Sequence, residues 1–251
     1  AVAWVARHIA MFGGDPARIT AAGQSAGGFL ACATLTAPGT PTVAAAGLFS
    51  GGASRIVAPD TAAELGDALL GGLGIAADPE RVIDVPAKDI LAVQADLVPR
   101  DLGVRNGASP RALGVVLDAG ASDPVIPVHP LQAIASGRLA RTTILSSATV
   151  DEASGFDETV VTVRDRASVE AELRSFAGTA DPDALVAAYP TRVRMLTDYI
   201  YRLPAARLVS AQCGAAGAAA LVEYPREAAA LAPHGADIGA LFGHVSHDTP
   251  G

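Results

Sequence analysis

The 251-residue sequence predicts an α/β fold, and three observations carry that prediction. First, Gly23-Gln24-Ser25-Ala26-Gly27 stands between an apolar, strand-like stretch at 18–22 and a helix-like stretch that starts near Ala26. Second, further short apolar runs recur at 44–50, 142–145 and 218–224, with helical patterns between them. Third, half the residues are apolar, enough to bury a substantial core in a chain of this length.

The chain opens with Val2, Val5, Ile9 and Phe12 at helical spacing, which predicts an amphipathic helix ended by Gly13-Gly14-Asp15-Pro16. Strand and turn follow, then a helix to about Leu35 and a loop at Pro38-Gly39-Thr40-Pro41. The run at 44–50 reads as a short buried strand ending in Ser50-Gly51-Gly52. From 53 to 98 the pattern changes to helical pieces, Glu64, Leu65, Leu69 and Leu70 on one and 89–97 on another, read as an excursion over the sheet. Residues 113–117 and 142–145 are strand-like, with Asp151 and Glu152 just past the second. Helical pieces are expected at 168–174, 182–188 and 204–213, then a strand at 218–224 and a loop at 225–235. With no repeat or linker, 1–251 reads as one partial domain.

Composition narrows the function. The net charge of −8 and the dispersed arginines argue against nucleic-acid partners. No run reaches the roughly 18 apolar residues that a membrane helix requires, and the most apolar, 211–222, reads as buried helix end and strand. Cys32 and Cys213 lack metal spacing and read as free buried thiols. Ala1-Val2-Ala3-Trp4 has no basic segment of the secretory-leader kind.

The chemistry starts from Ser25. A serine at the apex of a sharp strand-to-helix turn is held in strained backbone geometry with its hydroxyl clear of the sheet. Gly23 and Gly27 keep Cβ atoms out of that turn, and the helix aims free N–H groups at the place where an oxyanion would form. A serine nucleophile needs a base, and the base needs a carboxylate to orient it. Of five histidines, His8 lies on the first helix, His129 sits between prolines, and His244 and His247 have metal-pair spacing without a third ligand. His234 remains, in a loop after the last strand. Asp151 and Glu152 both meet the demand for an acid at a strand end. The order serine, acid, histidine is that of the α/β-hydrolase fold.

From Trp4 to Gly27 the chain resembles the nucleophile segment of type-B carboxylesterases, the cholinesterase-like family, especially bacterial para-nitrobenzyl-esterase-like members. Val125-Ile126-Pro127-Val128-His129-Pro130-Leu131, Thr149-Val150-Asp151-Glu152-Ala153-Ser154-Gly155-Phe156, Thr197-Asp198-Tyr199-Ile200-Tyr201-Arg202-Leu203-Pro204 and His234-Gly235-Ala236-Asp237-Ile238 resemble its later landmarks. The resemblance implies a partial α/β-hydrolase fold and an ester hydrolase with Ser25 as nucleophile, His234 as base and Glu152 rather than Asp151 as acid. It implies an acyl-enzyme intermediate, an oxyanion donor at Ala26 N–H, supporting roles for Ser50 and Asp237, a small-molecule ester substrate and no cofactor or metal.

The sequence departs from the family pattern in three respects. Gln24 replaces a commoner glutamate, Pro233 precedes the histidine, and Gly239 stands where proline is usual. The turn also arrives at residue 25, after one strand instead of five, and no His-Gly-Gly loop occurs. The implied picture is a fragment with three triad side chains, half a sheet, an exposed strand edge at 18–22 and weak activity alone. The competing readings are a non-catalytic cholinesterase-like interaction domain and another acyl-transfer enzyme: amidase, thioesterase or acyltransferase.

Overall fold

A computed structural model describes residues 1–98, 113–155, 184, 187–189, 191–225 and 231–243. The helical pieces expected at 168–174 and most of 182–188 lie outside them, as do Phe156, His244 and His247.

The architecture is α/β. Four strands, β1 (Thr20–Gln24), β2 (Ala45–Phe49), β5 (Thr143–Thr149) and β6 (Ala219–Tyr224), form a sheet in the order β1-β2-β5-β6 with every pair parallel. Parallel neighbours need crossover connections, usually helical. Here α2 (Ala26–Thr36) links β1 toward β2, and α7 (Leu203–Gly214) leads into β6. A second, two-stranded parallel sheet pairs β3 (Ile56–Val57) with β4 (Val115–Val116). The excursion contains α3 (Pro59–Gly72) and α4 (Ala87–Leu97), which touch where Gly72 faces Val93.

The core lies between the sheet and its helices. Cys32 and Leu35 of α2 pack with Val43, Ala46, Leu48, Ile144 and Leu208, and with Ile134 of α5 (Pro130–Ala135). A second cluster joins Phe29 and Ala148 to Met195 and Leu196 of α6 (Arg192–Thr197) and to Ile200 and Tyr201 of the π-helical turn Asp198–Arg202. Gln212 is fully buried, and its Nε2 donates to Leu139 O at 2.7 Å and Thr142 O at 2.8 Å.

Several details depart from the pattern in the sequence. The first helix is only α1 (Val2–His8), followed by a 3-10 turn, and none of its residues is fully buried. Trp4, Met11 and Phe12 are exposed. β5 runs through Thr149 instead of ending near 145, because Ser146, Ser147 and Thr149 are buried as strand residues. β6 is an edge strand with Leu221 and Val222 exposed, so the apolar run there is not the buried strand that its hydropathy suggests. Cys32 is buried as expected, but Cys213 is exposed. Among the described residues no helix is long and apolar enough to cross a membrane.

Candidate active site

All four strands of the main sheet run the same way, so the residues that follow them gather at one edge. Ser25 follows β1, Ser50 follows β2, Glu152 follows β5, and His234 lies in the segment after β6. The carboxyl ends of parallel strands are where α/β sheets place their ligands.

Ser25 has φ 55° and ψ −122°, a backbone conformation that L-residues rarely adopt and that costs about 1–3 kcal/mol. Neighbours hold it there: Ser25 N donates to Phe49 O at 2.9 Å, and Ser25 O accepts from Gly28 N at 2.9 Å and Phe29 N at 3.1 Å. Its side chain makes no capping bond to α2. The hydroxyl is therefore not spent on the helix.

The glycines divide differently from the expectation. A Cβ on Gly23 would lie 2.2 Å from Gly27 O, 2.3 Å from Gly27 C and 2.8 Å from Gly28 N. One on Gly27 would meet nothing within 4 Å. The second steric requirement falls on Gly51, where a Cβ would meet Gly28 Cα and Ser25 O at 2.9 Å each. Close approach of the β1 and β2 ends to α2 thus demands Gly23 and Gly51. Gly27 is not a crowding residue.

Glu152 is fully buried. Its Oε1 accepts from Thr149 N at 2.7 Å, and its Oε2 accepts from His234 Nδ1 at 2.5 Å. His234 N also donates to Glu152 O at 3.3 Å. The contact of Nδ1 with the Glu152 carboxylate places the proton of a neutral imidazole on Nδ1 and leaves Nε2 as the acceptor. Facing Nε2 at 3.3 Å is Nε2 of Gln24, the residue next to Ser25. The acid, the imidazole and the turn are thereby in one line of contact. Tyr201 packs on the imidazole with ring centroids 5.0 Å apart.

Asp151 turns elsewhere. Its Oδ2 accepts from Ala232 N at 3.1 Å, and its own N donates to Ala232 O at 3.2 Å, so it pins the histidine segment. Asp237 is buried; its Oδ2 accepts from Ser147 Oγ at 3.2 Å. Ser50 is fully buried at φ 47°, with N donating to Ser147 O at 2.9 Å. The other described histidines are engaged elsewhere: His8 stacks on Trp4, and His129 accepts from Leu131 N at the start of α5. Among the described residues no group of His, Cys, Asp and Glu could hold a metal ion.

Sequence reasoning assigned no role to Tyr201, Ser147, Thr149 or Gly51. Tyr201 and Thr149 lie in stretches already singled out, and Gly51 directly follows Ser50; Ser147 carries no signal in a linear pattern.

Comparison with known proteins gives the family and the fold. The profile described as "Carboxylesterase family" matches residues 1–177. The para-nitrobenzyl esterase of Bacillus subtilis (strain 168) is 28% identical over 217 residues, 84% of this chain and 43% of that protein. Among solved structures, a PNB esterase superposes with a TM-score of 0.79 at 26% identity, covering 99% of this chain and 54% of the other. The Geobacillus stearothermophilus carboxylesterase EST55 gives a TM-score of 0.77 at 26% identity, covering 100% and 51%. The fold is therefore an α/β-hydrolase fold in part, and the chain spans about half the length of the relatives it matches.

Proposed function

The chain belongs to the carboxylesterase family, and from that premise we propose that it is the serine-nucleophile part of a carboxylic ester hydrolase, with Ser25, His234 and Glu152 as its triad. The observation that carries the proposal is the 2.5 Å contact between His234 Nδ1 and the fully buried Glu152 carboxylate, with the imidazole's other nitrogen turned to the residue beside Ser25.

In this reading Ser25 Oγ attacks the ester carbonyl and His234 Nε2 accepts its proton. Glu152 stabilises the imidazolium that forms, and His234 returns the proton to the departing alcohol. Water, deprotonated by the same nitrogen, releases the acid from the acyl-enzyme. A helix leaves its first amides without intrahelical partners. Gly28 and Phe29 donate to Ser25 O, so Ala26 N–H serves as an oxyanion donor, worth about 3 kcal/mol in comparable sites. Gly23 shapes the turn, and Ser50 and Asp237 support the base.

The substrate class is a small-molecule ester, and the relatives' name makes a para-nitrobenzyl ester the first to assay. The test is labelling of the chain by a fluorophosphonate probe. A single adduct on Ser25, lost in Ser25→Ala, is expected. A folded chain whose Ser25 stays unlabelled refutes the nucleophile assignment and favours the non-catalytic reading.

A further inference from the structure

Asp237 lies three residues beyond His234 and is 3% exposed. Ser147 Oγ donates to its Oδ2, while Oδ1 is buried without a hydrogen-bond partner among the described residues. Among the described residues, the titratable groups that face it are Glu152 and His234, and no lysine or arginine does. An ionised carboxylate held by one hydroxyl and its own main-chain amide, out of water and beside a second carboxylate, is a poor arrangement. The same carboxyl with a proton on Oδ1 carries no buried charge and keeps its bond to Ser147.

We propose that Asp237 works as a neutral carboxylic acid, a positioning residue that ties the His234 turn to β5 through Ser147 while leaving Glu152 the one negative charge beside the imidazole. The inference rests on the reading of Glu152 and His234 as acid and base. Burial pushes the Asp237 carboxyl above the usual aspartate range; Glu152 adds to that, and the Ser147 bond, the main-chain amide of Asp237 and His234 oppose it. The division of labour follows: two carboxyls lie near one imidazole, and only the one that holds Nδ1 is charged.

Infrared difference spectroscopy of the full chain, wild type minus Asp237→Asn at neutral pH, reads the proton directly. A protonated-carboxyl stretch is expected; the paired bands of a carboxylate overturn the proposal. Should the asparagine variant fail to fold, carbon-13 NMR of the aspartate-labelled wild-type chain decides the same point. An Asp237 resonance that stays at its protonated position through neutral pH is expected, and one at the ionised position overturns the proposal. The positioning role is read by fluorophosphonate labelling of Ser25. Asp237→Asn should label about tenfold faster than Asp237→Ala, the effect of one retained buried hydrogen bond; equal rates overturn that role. A wild-type chain that never labels refutes the hydrolase reading, and the infrared band still decides the protonation state.

Discussion

Gly23 and Gly27 belong to one five-residue motif, yet replacing each by alanine should have opposite effects. A Cβ on Gly23 would meet three backbone atoms of Gly27 and Gly28 at 2.2–2.8 Å, below the 3.0 Å that real Cβ contacts essentially never breach. No rotamer relieves a clash with backbone, so the first turn of α2 must move away from the end of β1. That turn also supplies the amides bonded to Ser25 O. The cost is about 3 kcal/mol, the upper end of the overpacking range. In a chain of this size that lowers Tm by roughly 6–12 °C. Gly27→Ala meets nothing within 4 Å and sits inside α2. It removes unfolded-state entropy and adds helix propensity, gaining about 0.5–1 kcal/mol. Thermal melting of the two purified variants by circular dichroism is the assay. Equal destabilisation by both alanines would refute the assignment of the crowding to Gly23 alone.

Glu152→Gln keeps the shape of the acid but removes the charge that stabilises the imidazolium; Ser25 labelling should slow by about three to four orders of magnitude while the melting curve stays cooperative. A slowing below tenfold would move the acid's role elsewhere. The two thiols should separate in an alkylation time course. Burial pushes the Cys32 thiol up to about 12, so Cys213 reacts in the folded chain and Cys32 only after unfolding. Stability against pH follows from Asp237. Its carboxyl titrates higher in the folded chain than in the unfolded one, so the folded state binds the extra proton and stability falls as pH rises from the ordinary aspartate range through the raised value. Asp237→Asn should flatten that part of a denaturation midpoint series, and an unchanged slope would contradict the assigned direction.

What the sequence disclosed depended on whether a residue's role is local. β2 and β6 are short apolar runs bounded by glycine and proline, and they form within a residue or two of where the pattern places them. The elbow is equally local, since a strand, a tight turn and a helix follow one another in eight or so residues. β5 is only half visible because its second part is polar. Ser146 Oγ donates to Leu48 O and Ser147 Oγ to Asp237, and such long-range bonds make serine acceptable in a buried strand without leaving a hydropathy signal. Asp151 and Glu152 are neighbours of the same charge, and only the resemblance separated them. In space they diverge: one carboxylate meets the Ala232 amide, the other the imidazole. The exposure of β6 and Cys213 was hidden for a different reason, since hydropathy reports what a segment can bury and says nothing of what lies beside it.

These contacts shift the weight of the site from the elbow to the end of β5. Ser25 is held by Phe49 O at the end of β2 and by the first amides of α2. His234 draws support from far along the chain. Its segment is tied down by Asp151 N and Oδ2 to Ala232, by Glu152 O and Oε2 to His234 itself, and by Ser147 Oγ to Asp237. Every one of those partners stands on or just past β5. The proposed nucleophile and base are therefore built mainly by different parts of the sheet, one by a strained turn and the other by strand-end hydrogen bonds, with Gln24 Nε2 at 3.3 Å from His234 Nε2 joining the two. Damage at the end of β5 should release the imidazole while leaving φ and ψ of Ser25 intact. Ser147→Ala is the smallest such damage. It removes one bond of the set and fills no space, so it should slow labelling of Ser25 by about tenfold or less, the worth of one buried hydrogen bond, and leave the Gly23→Ala melting penalty unchanged when the two are combined. A coupled penalty in the double variant would mean that the contact of Gln24 Nε2 with His234 Nε2 carries strain from the turn to the base segment.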